Sequence, residues 1–225
     1  MMATRAGLAH ETIVQQAAAL ADQGGFDTLS MSTLASHLGV STPALYHYFA
    51  GLAGLRRAIA LRGLQMWAET MGRAVQGKAG DEAVLALAHA LRDFASVHPG
   101  LYEAASRAPD SQDQEWMAAG REVVEIMLRT LSAYHLSPDA ARHAIRMLRS
   151  AVHGCVSLER LGGFGLPGVA EETFRGLLVA LLDYIHDHLE EKGIDTTASR
   201  KERREKGPSC GQSTMGLLVH LPPFT

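Results

Sequence analysis

Residues 31–49, MSTLASHLGVSTPALYHYF, constrain the fold most strongly, because their pattern predicts two short helices joined by a sharp turn. The first helix is expected over about residues 33–38, with the Ser32 hydroxyl capping its free N–H groups. Gly39 follows it and supplies the positive φ that such a turn needs. Pro43 lies in the first turn of the second helix, where a missing N–H costs nothing. The stretch is therefore predicted to be a helix-turn-helix.

The two helices of this unit divide their residues between an inner and an outer face. We expect Ala35, Val40 and Leu45 to point inward, and the small Ala35 side chain lets the helices cross closely. The outer face then carries small or hydrogen-bonding residues, which are Ser41, Thr42, Ala44, Tyr46 and His47. Such a face suits a helix that lies in the DNA major groove. The alternative is an αα-corner with a purely structural role.

A longer segment, residues 12–55, resembles the DNA-binding domain of TetR-family transcriptional repressors. The resemblance rests on GGF at residues 24–26, LASHLGV at 34–40 and PALYHYF at 43–49, in this order and spacing. It implies an all-α homodimer with an N-terminal three-helix helix-turn-helix domain and a larger C-terminal helical domain. It also implies that DNA is released when a small ligand binds the C-terminal domain.

The rest of the chain is predicted to be helical as far as residue 191. At 225 residues, with 47% hydrophobic and 20% charged residues, the chain can bury a sizeable core. Periodicity and breaks predict further helices over about 10–23, 50–75, 82–97 (capped by Asp81), 100–106, 115–134, 138–161 and 169–189. We expect a DNA-binding domain over residues 1–51, a ligand-binding and dimerisation domain over 52–191, and a mostly disordered tail over 192–225.

The predicted DNA-binding domain is poor in basic residues. Residues 1–50 contain Arg5 as their one lysine or arginine, against Glu11, Asp22 and Asp27. Phosphate contacts from cations usually supply much of the affinity for DNA. The family carries a lysine or arginine where Leu52 stands here, and Arg56 or Arg57 is expected to substitute in part. The predicted DNA-binding residues are Thr33, Ser41, Thr42, Pro43, Ala44, Tyr46, His47, Tyr48 and Arg56.

The resemblance also implies a ligand pocket in the C-terminal helices. Pockets of this kind are mostly apolar and contain few polar anchors. The residues predicted to line it are Leu64, Trp67, Met71, Phe94, Tyr102, Trp116, Met117, Met127 and His153. Stripes of aromatic residues and methionine at helical spacing are more often ordinary core, which is the alternative interpretation here.

The last two predicted helices have apolar faces that must be buried. In the family these helices pair with those of a second copy as a four-helix bundle. The predicted dimer interface consists of Ala151, Gly154, Ser157, Phe174, Leu178 and Leu181, and the alternative is that this face is intramolecular core. The stretch around His153 and Gly154 resembles the His-Gly signature of one TetR subgroup.

No residue pattern predicts catalysis, a metal site or a cofactor. His186 and His188 diverge on a helix, and no paired acids or Ser/His/Asp set stands out. Cys155 and Cys210 are lone thiols, which fit a reducing cytosol. No apolar run is long enough for a signal peptide or a membrane span. We therefore expect a cytoplasmic protein without a membrane partner.

The sequence thus predicts a ligand-responsive repressor that binds a near-palindromic DNA operator as a homodimer. Its effector is expected to be a small, largely apolar molecule. The alternative is a helical ligand-binding or protein-interaction module whose DNA binding has degraded, an interpretation prompted by the scarcity of basic residues and by Leu52.

Overall fold

The computed structural model describes residues 9–165 and 168–188, and within these ranges the regular secondary structure is helical. The α-helices are α1 (His10–Gly24), α2 (Met31–Leu38), α3 (Thr42–Leu45), α4 (Gly51–Val75), α5 (Gly80–Val97), α6 (Pro99–Ser106), α7 (Gln114–Thr130), α8 (Pro138–Arg160) and α9 (Val169–Asp187). A 3-10 turn, Ser132–Tyr134, follows α7. The predicted all-α fold class is confirmed. None of the described helices combines the length and hydropathy that a membrane span requires.

The start of α2 differs from the prediction by two residues. Ser30, rather than Ser32, caps the helix, because its hydroxyl accepts a hydrogen bond from the N–H of Thr33 at 3.1 Å. The Thr33 hydroxyl in turn accepts from the Ser30 N–H, which completes a reciprocal capping box. Gly39 ends the helix at a φ of 65°, as the sequence predicts.

The second helix of the turn unit is shorter than predicted. Regular α-helix covers Thr42–Leu45, and the chain then continues in tight turns to residue 48. The N–H groups of Tyr46 and Tyr48 donate to carbonyls three residues back, those of Pro43 and Leu45. Leu45 and Phe49 are both buried, so the turn segment between them is held at each end.

Helix α4 is the long element on which the other helices pack. It contacts α1, α5, α6 and α7. Its buried residues include Leu55, Ile59, Leu64, Trp67 and Met71. Packing against α6 is close at Gly63, where an added Cβ would lie 2.7 Å from the Leu101 carbonyl oxygen. Because α4 packs on both parts of the chain, the domain boundary at residue 51 stays a prediction.

Helices α8 and α9 pack against each other and against α5. Ser137 caps α8 through a hydrogen bond from the Ala140 N–H at 3.2 Å. Phe174, Leu178 and Leu181 are fully buried within this one chain. The prediction that these three form a dimer interface is therefore wrong, because they have no surface left for a second copy.

Two further helix boundaries are corrected. Asp81 lies inside the first turn of α5 instead of capping it. Its carboxylate accepts a hydrogen bond from the Tyr134 hydroxyl and also makes a hydrogen bond with Nε2 of His186. Helix α7 ends at Thr130, four residues earlier than expected, because a 3-10 turn follows it.

Three of the sequence predictions lie outside the described residues. They concern the arm around Arg5, the thiol of Cys210 and the tail over 192–225.

Candidate nucleic-acid interface

Residues 41–48, called the reading tip below, comprise α3 and the turn that follows it, and most of them are exposed. The Tyr46 side chain is 59% exposed and that of Tyr48 is 38% exposed. Ser41 and His47 are exposed as well, while Thr42 and Ala44 are half-buried. The tip is anchored from below by Leu45 and Phe49, so its outer residues are held in place without being covered.

The polar groups of the reading tip have no partners among the described residues. The hydroxyls of Ser41 and Thr42 and the ring of His47 make no hydrogen bond there, and neither do the two tyrosine hydroxyls. Side chains of this kind can donate to and accept from base edges and phosphate oxygens. Thr33 is different from the other predicted DNA contacts, because its hydroxyl is engaged in the capping box with Ser30.

The two arginines at the start of α4 are engaged within the chain. Arg57 donates to both carboxylate oxygens of Asp113 and, at 2.7 Å, to Glu115. These bonds raise the pKa of Arg57 and hold the pKa of Asp113 below its usual range. Arg56 donates to the Asp27 carbonyl at 3.0 Å and stacks on the Phe26 ring. The predicted phosphate contact of Arg56, and the substitute role of Arg57, therefore do not fit their positions here.

A second set of contacts, called the joint below, connects α1 with the beginning of α6. One carboxylate oxygen of Asp22 accepts the N–H of Gly100 at 2.8 Å and that of Leu101 at 3.1 Å. The other oxygen lies 3.2 Å from Nδ1 of His98. Asp22 thus satisfies N–H groups that the first turn of a helix leaves free. The backbones touch directly, since a Cβ on Gly100 would lie 2.3 Å from the Ala21 carbonyl carbon.

The other end of α6 is tied to the loop between α1 and α2. Arg107, which follows the last residue of α6, donates to both carboxylate oxygens of Asp27 at 2.8 and 2.9 Å. Its guanidinium also stacks on the Phe26 ring, 4.9 Å from the ring centroid, beside that of Arg56. Helix α6 is therefore fixed to the helix-turn-helix part of the chain at both of its ends.

Four of the predicted ligand-binding residues meet in one aromatic cluster in the helical body. The Trp67 ring stacks on Phe94 with centroids 6.3 Å apart, and it meets Tyr102 edge-on at 5.5 Å. The Tyr102 hydroxyl lies 3.3 Å from Nδ1 of His153. Burial raises the pKa of Tyr102, so its hydroxyl is protonated at neutral pH. Because Tyr102 belongs to α6, this cluster and the joint share a helix.

The remaining predicted ligand residues do not converge on that cluster in one cavity. Met127 lines a separate apolar cavity of about 10 Å³ with Leu131, Leu181 and Ile185, which holds a water at most. Trp116 and Met117 are half-buried at the beginning of α7. Leu64 and Met71 are buried on α4. A larger cavity of about 360 Å³ lies where α4 ends, and none of the predicted residues lines it.

Sequence reasoning missed the joint and the ion pairs of α4. Asp22, Gly100 and Arg107 carry no motif, and their partners lie about eighty positions away along the chain. The one local signal was HPG at residues 98–100, which predicts a helix start but not the neighbour that caps it. Within the described part of the chain, no group of three or more His, Cys, Asp or Glu residues is placed to hold a metal ion.

The chain matches two family profiles. Residues 13–59 match the bacterial regulatory proteins of the tetR family, and residues 84–181 match the tetracyclin repressor-like C-terminal domain. An HTH-type transcriptional regulator of Mycobacterium tuberculosis is 38% identical over 162 residues, covering 72% of this chain and 74% of that protein. One from Bacillus subtilis is 37% identical over 153 residues, covering 68% and 80%.

Solved structures share the fold. A TetR variant from Acinetobacter baumannii in complex with minocycline superposes with a TM-score of 0.63 at 22% identity, covering 82% of this chain and all of that one. ActR from Streptomyces coelicolor in complex with (S)-DNPA gives a TM-score of 0.58 at 19% identity, covering 82% of this chain and 100% of that one. Two matched family profiles and two relatives above one-third identity agree with the helix-turn-helix geometry: the chain is a transcriptional regulator, not an enzyme, and belongs to the TetR family.

Proposed function

We propose that the protein is a repressor that binds a near-palindromic operator as a homodimer and leaves it when a small effector binds. The observation that carries the proposal is the reading tip, in which the side chains of Thr42, Tyr46 and His47 make no hydrogen bond to another described residue, while Leu45 and Phe49 anchor the segment. Two such tips related by a two-fold axis would enter successive major grooves. The predicted contacts by Ser41, Pro43, Ala44 and Tyr48 belong to the same proposal.

The dimer interface is proposed on the outward faces of α8 and α9. On α9, the positions 170, 173, 177, 180 and 184 follow one another at intervals of three and four and carry no charge. On α8, Leu158 and the half-buried Ala151 and Gly154 form a matching uncharged face. Leu158, Leu161 and Leu177 keep 45%, 83% and 40% of their surface exposed. Ala151, Gly154 and Ser157 therefore stay in the proposed interface, whereas Phe174, Leu178 and Leu181 leave it.

The interface is tested by Leu177→Glu, with Val179→Glu as the matched control. Both residues are exposed and apolar on α9, but two positions on a helix point about 200° apart. We expect Leu177→Glu to weaken the dimer by at least about a hundredfold, because it buries a charge without a partner. Val179→Glu should leave the mass by light scattering unchanged. A dimeric Leu177→Glu protein would place the interface on another face.

The effector response is proposed to pass through α6. Tyr102 is in the middle of this helix, Asp22 holds its first N–H groups, and Asp27 holds Arg107 at its end. A ligand that shifts Tyr102 would therefore shift α1 and the loop beside the reading tip. The ligand must bind one arrangement more tightly than the other, because equal affinity changes no equilibrium.

The proposal is tested by binding to the DNA upstream of the protein's own gene. Fluorescence anisotropy with labelled fragments, excess unrelated DNA and a salt series should give selective, saturable binding by two chains per site. Since Arg56 and Arg57 are engaged elsewhere, we expect a shallow salt dependence, with a log–log slope of about −4 or smaller in magnitude.

The same DNA-binding experiment distinguishes the repressor from the alternative function, a helical module without DNA binding. The ion pairs of Arg57 are the observation that favours a helical module without DNA binding, because they remove a cation from the surface near the tip. A folded, dimeric protein that binds the upstream fragment no better than unrelated DNA would contradict the repressor and support the module.

A further inference from the structure

The aromatic cluster contains a buried donor that has no acceptor. Trp67 is only 1% exposed, and its buried Nε1 makes no hydrogen bond. The indole N–H can only donate, and leaving such a group unpaired inside a protein is costly. Phe94 stacks parallel to the same ring, and Tyr102 meets it in an edge-to-face contact. The aromatic cluster therefore combines flat apolar rings with one buried N–H donor that has no acceptor.

A cation lies at the outer side of this cluster. The guanidinium of Arg149 stacks over Trp67, 5.7 Å from the ring centroid. Among the ion pairs of the described residues, none includes Arg149, in contrast to Arg57, Arg92 and Arg107. Guanidinium groups also only donate, and they suit a carboxylate in a two-bond geometry.

The stretch of α8 around Arg149 contains no acidic residue. Helix α8 carries no acidic residue between Asp139 and Glu159, and Arg146 and His153 lie within one turn of Arg149. His153 lies beside the Tyr102 hydroxyl on the same side of the cluster. A neutral apolar ligand would leave both the indole N–H and the guanidinium without an acceptor. An anion with a flat ring satisfies both.

We propose that the effector is a planar aromatic acid whose ring lies against Trp67 and Tyr102 and whose carboxylate pairs with Arg149. This inference rests on the proposed ligand response and gives it a chemical class. It adds Arg149 to the predicted ligand residues and retains Trp67, Phe94, Tyr102 and His153. It replaces the expectation of a largely apolar effector.

The test is calorimetric titration of the full chain with 2-naphthoate and with its neutral isostere 2-naphthamide. We expect naphthoate to bind at least about tenfold more tightly, the ratio typical of one charge-assisted hydrogen bond. Arg149→Gln should remove this preference, and Arg149→Lys should restore part of it. Arg146→Gln removes the same charge from the same helix and should keep the preference.

Three results would overturn the proposal. They are no saturable binding of naphthoate, equal affinity for the acid and the amide, and an undiminished preference in a folded Arg149→Gln protein. Loss of binding with Arg129→Gln instead would also overturn it, because Arg129 lines the 360 Å³ cavity. The titration contains no DNA, so a failure to bind an operator would leave its outcome intact, and the operator experiment is likewise independent of naphthoate.

Discussion

The reading tip and the joint treat their polar groups in opposite ways. In the joint, Asp22 accepts two backbone N–H groups of α6 and lies beside His98. In the tip, the side chains of Tyr46 and His47 extend from an anchored turn and make no hydrogen bond to another described residue. Polar groups that are satisfied inside a fold hold elements together, whereas rigid groups left unsatisfied at the surface are available to another molecule.

The distribution of cations follows the same division. Arg56 and Arg107 make their contacts with Phe26 and Asp27, and Arg57 pairs with Asp113, all within the chain. The reading tip contains no lysine or arginine, and its polar side chains are hydroxyl groups and the His47 ring. This part of the chain therefore uses its arginines to connect the helix-turn-helix to α6 and α7, and leaves the hydrogen-bonding side chains of the tip free for the proposed DNA contacts.

We expect the largest effect on stability from Gly100→Ala, which disrupts the contact between α1 and α6 at the joint. The new Cβ would lie 2.3 Å from the Ala21 carbonyl carbon, a backbone atom that no side-chain rotation can move away. We expect the free energy of unfolding to fall by about 3 kcal/mol, as for severe overpacking. Denaturant titration followed by circular dichroism measures this change.

Gly120→Ala is the matched control for that substitution. Gly120 is also inside a helix, but nothing lies within 4 Å of the position its Cβ would take. The change should raise the free energy of unfolding by up to about 1 kcal/mol, the difference in helix propensity. Equal effects of the two substitutions would mean that α1 and α6 are not in close contact in solution.

Asp22→Ala weakens the joint without a clash. Two N–H groups of α6 lose their acceptor, so we expect a loss of about 1–2 kcal/mol in the free energy of unfolding. The operator affinity of the ligand-free protein should change little, while the drop in affinity caused by a bound effector should shrink. Asp93→Ala, at an exposed position of α5, should alter neither quantity. An unchanged effector response in Asp22→Ala would exclude the joint as the route of coupling.

Leu52→Lys tests whether a cation at the start of α4 strengthens the proposed binding to DNA. Leu52 is half-buried, so a lysine stem can lie along the same apolar surface with its ammonium group in water. We expect about fivefold tighter operator binding at low salt, and a log–log salt slope steeper by about 2 for the dimer. Leu52→Gln serves as the uncharged control. An unchanged slope would mean that residue 52 does not approach a phosphate.

The sequence predicted what depends on near neighbours along the chain. Gly39, Pro43 and Leu45 determine the turn unit through local conformation and spacing, and the structure agrees with those predictions. The cap of α2 was placed at Ser32 instead of Ser30 because both serines precede a helical pattern. Choosing between them requires knowing which hydroxyl reaches the N–H of Thr33.

Contacts between distant segments were not predictable from one sequence. An apolar stripe on α9 looks the same whether it packs on α5 and α8 or on a second copy, which is why Phe174 was assigned to the wrong surface. Asp22 looked like one more unfavourable charge near DNA, whereas its carboxylate points to α6. The aromatic cluster was found because large rings are distinctive, but Arg149 had no local signal.

The most direct test of the reading tip is the operator affinity of Tyr46→Ala and Thr42→Ala, with Val97→Ala as an exposed control outside the tip. The measurement is anisotropy on the upstream DNA, with the dimer mass and unfolding midpoint checked for each protein. We expect both tip substitutions to weaken selective binding, Tyr46→Ala by at least about tenfold, since a lost base contact costs roughly 1–3 kcal/mol. Wild-type affinity in both tip variants would contradict the assignment of this segment as the DNA-reading element.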